Sequence, residues 1–154
     1  ISLYYAGEFQ KGVEQFESHK AVNPHDVENA VWHFICMARA SGIAEARRNL
    51  IPIKGDGRIP MMTVHALFAD KATVADVLKR AEAPAHPERL KLQRFYAHLY
   101  LGIYHEIIAD EKKAAAHIKL AANDYFAPHY MGECARVHER YLARRKNLDP
   151  ASPR

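Results

Sequence analysis

Apolar residues recur at Phe9, Val13, Phe16 and Val22, a period that predicts an amphipathic helix over residues 9–22. Asn23-Pro24 ends it, because proline offers no N–H to continue the ladder. Residues 25–40 hold neither glycine nor proline; Asp26 predicts an N-cap there and Ser41-Gly42 a stop. A short helix follows over residues 44–50 and breaks near Pro52. Residues 51–60 (IPIKGDGRIP) carry two glycines and two prolines and predict the longest irregular loop. Pro60 suits the first turn of a helix running to Asp70, and Thr73 caps a helix running to Ala83. Residues 88–127 contain no proline, and Asp110 predicts a tight turn within them. Pro128 opens a last helix that runs to Lys146. Residues 147–154 read as a frayed tail.

Val and Ile never alternate with polar residues over a useful length, so no strand is predicted. The fold class is all-α, with about eight or nine helices and antiparallel neighbours because the links are short. Residues 1–146 read as a single helical domain. The helix from Phe95 to Ala109 is apolar nearly all round. Tyr96, Leu99, Tyr100, Ile103, Tyr104 and Ile107 lie on one side, with Leu101 and Ile108 toward the other. Such a helix is either buried on both faces or lines a groove.

Composition narrows the class. The chain has 154 residues, 49% hydrophobic and 26% charged, which excludes intrinsic disorder. A chain of this length buries roughly 70% of its unfolded surface. No apolar run approaches the ~18 residues that a membrane span needs. Cys36 and Cys134 are too few for a disulfide framework. Residues 1–20 lack the layout of a signal peptide.

Three units invite a repeat comparison. Leu3–Pro24 (LYYAGEFQKGVEQFESHKAVNP) places aromatic residues at Tyr4, Phe9 and Phe16, a turn at Gly7 and a stop at Pro24. A unit from Val27 offers Ala46 and Leu50, and a unit from Phe95 offers Leu101-Gly102, Ala109, Ala114, Ile118 and Ala121. This pattern resembles the tetratricopeptide repeat (TPR), a helix–turn–helix unit of ~34 residues. Gly12 and His19 stand where that family prefers alanine, Phe34 replaces a small residue, and Pro52 cuts a helix short. Residues 60–83 resemble a degenerate hairpin and residues 128–146 a closing helix. The resemblance implies a right-handed array of antiparallel helix hairpins, an α–α superhelix. The irregular repeats are similar to those of small bacterial TPR lipoproteins, so cytoplasm and periplasm both stay open. Ile1 falls mid-helix in its unit, which implies further repeat upstream.

The resemblance also implies a non-enzymatic interaction module or scaffold that binds a protein or peptide on its concave face. Carried over residue by residue, the reading positions are Tyr4 and Tyr5, then Glu28, Val31, Ile35, Ala38 and Arg39. In the third unit they are Tyr96, Leu99, Ile103, Glu106 and Ile107. Arg39 and Glu106 are the polar anchors of an otherwise apolar, aromatic groove. Val31 and Ile35 stand where one class of the family clamps a carboxylate with Lys and Asn, so that clamp is not expected. A homo-oligomer is left open.

No catalytic or cofactor constellation emerges. None of the glutamates has a histidine three residues on, and no HExxH or Cys-x-x-Cys occurs. His98 and His105 lie two turns apart and read as packing residues between helices, not ligands. Cys36 lies in VWHFICMARA near His33, where apolar neighbours predict a raised, unreactive thiol. No serine lies in a G-x-S-x-G turn, and Gly55-Asp56-Gly57 matches no phosphate loop. Neither a metal nor a cofactor is expected.

Charge enters last. The net charge is +4, yet residues 1–77 carry 8 basic and 9 acidic side chains while residues 78–154 carry 14 and 9. The excess sits in the last helix and tail. There Arg136, Arg140 and Arg144 repeat every four residues as one stripe. A basic face suggests an alternative, a helical domain that binds nucleic acid or another anionic surface. A closing helix needs a polar outer face in any case, so a specific nucleic-acid partner is not expected.

Overall fold

The computed structural model describes residues 1–148. The last six residues of the expected tail lie outside them, and residues 147–148 instead continue the final helix. The described residues are all-helical and contain no strand.

The chain opens with a single turn, α1 (Ser2–Tyr5), then α2 (Phe9–Lys20), α3 (Val27–Ser41) and α4 (Ile43–Arg48). Asp26 caps α3, its side chain accepting from the Glu28 N–H at 3.0 Å; a cap of this kind contributes about 1 kcal/mol. After the irregular stretch come α5 (Met61–Phe68) and α6 (Val74–Ala81). Thr73 and Asp76 cap α6 reciprocally, each side chain accepting from the other's backbone N–H.

The long helix α7 (Pro87–Ile107) turns into α8 (Glu111–Lys119) through Asp110, whose carboxylate accepts from the Lys113 N–H. A π-helical turn at Leu120–Asp124 extends α8; nothing in the apolar spacing announced it. The last helix, α9 (Tyr130–Leu148), starts two residues later than Pro128 predicts. Its first turn is fixed by His129, whose Nδ1 accepts from the Met131 N–H at 3.2 Å.

Helix α7 organises the core. It packs on α3, α5 and α6 along one flank and on α8 along the other. Leu99, Tyr100, Leu101 and Ile103 are therefore fully buried. Of the two options its pattern allowed, this helix takes burial on both faces. Close approach is permitted where side chains vanish. A Cβ on Gly102 would lie 2.5 Å from Ile118 Cγ1, and one on Gly12 would lie 2.7 Å from Cys36 Sγ. Gly12, a departure from the repeat pattern, thus admits a tight α2–α3 contact.

The first and last helices meet. Tyr5 Oη lies 3.0 Å from His138 Nδ1, and the rings of Tyr4 and Tyr5 both pack on Tyr141 of α9. One apolar cluster consequently runs from Tyr4 to Ala135. The loop before α5 is pinned to the start of α3 by Arg58, which reaches Asp26, Glu28 and Asp56 at 2.7, 3.3 and 2.6 Å.

Candidate functional site

The expected reading positions fall into three groups. Val31, Ile35, Leu99 and Ile103 have no exposed surface. They are core residues and not a groove, because α7 is covered from both sides. Glu28 and Tyr96 gather around Arg58, whose guanidinium lies 5.9 Å from the Tyr96 ring centre. This cluster stitches the loop to α3 and α7. Burial raises the Glu28 carboxyl above its ordinary value against the pull of Arg58.

Tyr4, Tyr5, Arg39 and Glu106 converge on one point. Glu106 stands on the last turn of α7 with its side chain 2% exposed. The Tyr4 hydroxyl donates to Oε2 at 2.8 Å. Arg39, near the end of α3, and Arg145, on α9, both donate to Oε1, Arg145 at 2.7 Å. His138 Nε2 lies 3.2 Å from Oε2. That nitrogen makes no hydrogen bond to the carboxylate; the other ring nitrogen, Nδ1, lies 3.0 Å from the Tyr5 hydroxyl and brings Tyr5 beside the cluster. Four helices, α1, α3, α7 and α9, thus share one carboxylate.

Electrostatics fix its state. Burial alone would raise the Glu106 pKa, but His138, Arg39 and the Tyr4 hydroxyl outweigh it and hold the carboxyl at about 2. Burial, with Glu106 beside it, pushes the Tyr4 hydroxyl far above its ordinary value, so Tyr4 stays a donor. A general base works best with a pKa near the operating pH. Glu106 is ionised and accepts from three donors, which suits an anchor and not a proton shuttle.

A half-enclosed cavity of about 390 Å³ opens beside this cluster, between α7, α8 and α9. Ile107, Ile118 and Leu142 form apolar walls, with Ala115 and Ala143 toward solvent. Arg39, Glu106 and Arg145 close its inner end, and Glu111, Lys119 and Glu139 stand at its mouth. That volume lies within the ~300–1,000 Å³ of ligand sites.

Arg145, His138, Tyr141 and Leu142 were not among the expected positions. Their signal was present. Met131, Cys134, Ala135, His138, Tyr141, Leu142 and Arg145 follow the three-to-four-residue spacing of a buried face, one position off the basic stripe. Arg136, Arg140 and Arg144 are exposed as expected. Arg136 lies 3.6 Å over the Phe126 ring and pairs with Glu133 at 3.0 Å.

His98 and His105 of α7 face His117 of α8. His98 Nδ1 and His117 Nδ1 are 2.8 Å apart, so one donates and the other accepts. His105 stacks on His117 with ring centres 5.5 Å apart. Burial, followed by the charges of His98 and His105, lowers His117 to about 4. Among the described residues no group of three His, Cys, Asp or Glu side chains is placed to hold a metal ion. None of their helices is long and apolar enough to cross a membrane. Cys36 is fully buried, and that burial pushes its thiol up to about 11.

No family model matches the chain, and no curated protein matches it significantly.

Proposed function

We propose that this chain is a non-enzymatic, TPR-type binding module that takes a peptide or protein segment in the cleft between α7, α8 and α9. The observation that carries this reading is the cavity of about 390 Å³, apolar along its walls and charged at its inner end. Such a site seats an apolar side chain and fixes its direction with a few polar groups. The repeat-like register supports the same reading. The ionised Glu106 and the unreactive Cys36 leave these two groups without a catalytic role.

A peptide library displayed on phage, selected against the full chain, tests it. Enriched peptides should lose binding to Ala115→Trp, which fills the cleft from an exposed helix face. Failure to enrich any sequence, or binding that ignores Ala115→Trp, refutes it. The second reading, an anion-binding helical face, rests on exposed Arg136, Arg140 and Arg144. Steep loss of binding with rising salt would favour it.

A further inference from the structure

Two guanidiniums meet one carboxylate at the inner end of the α7–α8–α9 cleft. Both donate to the same oxygen of Glu106, and its other oxygen takes the Tyr4 hydroxyl. Glu106 thus accepts from three donors, while the arginines keep donors to spare. Each guanidinium has five N–H donors. Arg145 spends one on Glu106, and Arg39 spends one there and one toward Tyr4 Oη at 3.5 Å. Arg39, Glu106 and Arg145 sum to one surplus positive charge in a place walled by Ile107, Ile118 and Leu142. The acidic groups Glu111 and Glu139 stand at the mouth with Lys119, and Glu139 already accepts from Asn123 Nδ2 at 3.1 Å. A guanidinium pair facing an apolar chamber recognises a planar anion in the manner of a carboxylate fork. A cation placed there would meet the surplus charge instead.

We propose that this cleft binds a carboxylate carried on an apolar body, the carboxylate meeting the free N–H groups of Arg39 and Arg145 and the body filling the space against Ile118 and Leu142. This rests on the cleft being the binding site and adds the chemistry of what it binds. The ligand carboxylate joins Glu106 as a second acceptor for the two arginines. The inner end is then neutral, two guanidiniums balancing two carboxylates.

The experiment titrates the isotope-labelled full chain with three probes of one shape: 4-phenylbutyrate, 4-phenylbutan-1-ol and 4-phenylbutylamine. The acid should bind at least about tenfold tighter than the alcohol, the worth of a charge-assisted contact, and the amine should not bind. The shifts should fall on the methyls of Ile107, Ile118 and Leu142. Arg145→Gln should cost the acid about tenfold and leave the alcohol unchanged, with the helical circular dichroism intact; Arg145→Lys should restore part of the loss. Equal binding of acid and alcohol overturns the proposal, as does preference for the amine or indifference to Arg145→Gln. A further arm uses an acetylated, amidated peptide with glutamate between two phenylalanines. Binding of both acid and peptide supports the proposal with the carboxylate on a peptide. Binding of the acid alone also supports it, but assigns the carboxylate to a free organic acid and removes the peptide reading. Peptides selected from the library that carry no carboxylate and still need the open cleft would keep that reading and overturn this one.

Discussion

Gly102→Ala is the smallest change that probes how α7 and α8 hold the cleft wall. In an open helix the substitution would stabilise by about 0.8–1 kcal/mol, the propensity difference. Here the new Cβ would lie 2.5 and 2.6 Å from Ile118 Cγ1 and Cδ1 and 3.1 Å from the Ile118 backbone nitrogen. Ile118 has no exposed surface, and turning its side chain would not relieve the close approach to its backbone nitrogen. Overpacking of this kind costs typically ~1–3 kcal/mol and occasionally more. Moving the α8 backbone puts the cost at the upper end, and the net expectation is destabilisation by about 1–2 kcal/mol. In urea melts of wild type and variant, the midpoint should fall with an unchanged slope. In an Ile118→Ala background the same substitution should cost at least about 1 kcal/mol less, because the two nearest carbons are gone. A Gly102→Ala protein as stable as wild type would refute the assigned helix contact.

Acid should weaken the α7–α8 contact. His117 has a folded pKa of about 4 against an ordinary 6.5, so the unfolded chain takes the proton first. The stability it supports is complete above pH 6.5 and drains as pH falls toward 4, by about 1–2 kcal/mol after allowing for partial exposure. Thermal melts across that window check this, and His117→Gln should flatten the slope. Arg58→Gln should destabilise by about 1–2 kcal/mol at pH 7, since Asp26, Glu28 and Asp56 then face one another. Glu28, whose carboxyl is already raised, should take up a proton on mild acidification and recover part of the loss, which urea melts at pH 7 and pH 5 would detect. Cys36 should resist an aromatic disulfide reagent at pH 8 until the chain is unfolded, because its thiol stands at about 11.

Helix starts were the most legible part of the sequence. Asp26 and Thr73 combine a short polar side chain with a following apolar period, and both caps form. Local signals of this kind need no knowledge of the partner helix. At Gly102 the space a side chain would take is filled by Ile118. Arg39 and Glu106 were named as the polar anchors of one groove, and they pair across 67 positions.

What stayed hidden depends on closure. Nothing in the periodicity of α1 or α9 tells that Tyr4 and Tyr5 will pack on Tyr141, and that contact places Arg145 on Glu106. Arg145 sits inside a basic run and reads as one more surface charge unless the face through His138 and Tyr141 is traced. Val31, Ile35, Leu99 and Ile103 look like a groove on a single hairpin and are core once both flanks of α7 are covered.

The site depends on a carboxylate that stays ionised at the meeting point of four helices. Its most direct test is the acid titration of the Glu106 side chain, followed by the chemical shift of its labelled carboxyl carbon. A folded pKa of about 2 against an ordinary 4.5 means a contribution complete above pH 4.5 and lost as pH falls toward 2, roughly 3 kcal/mol in all. The expected result is a midpoint near 2, or a carboxyl still ionised at the pH where the chain unfolds. A midpoint at or above 4.5 in the folded protein would contradict it.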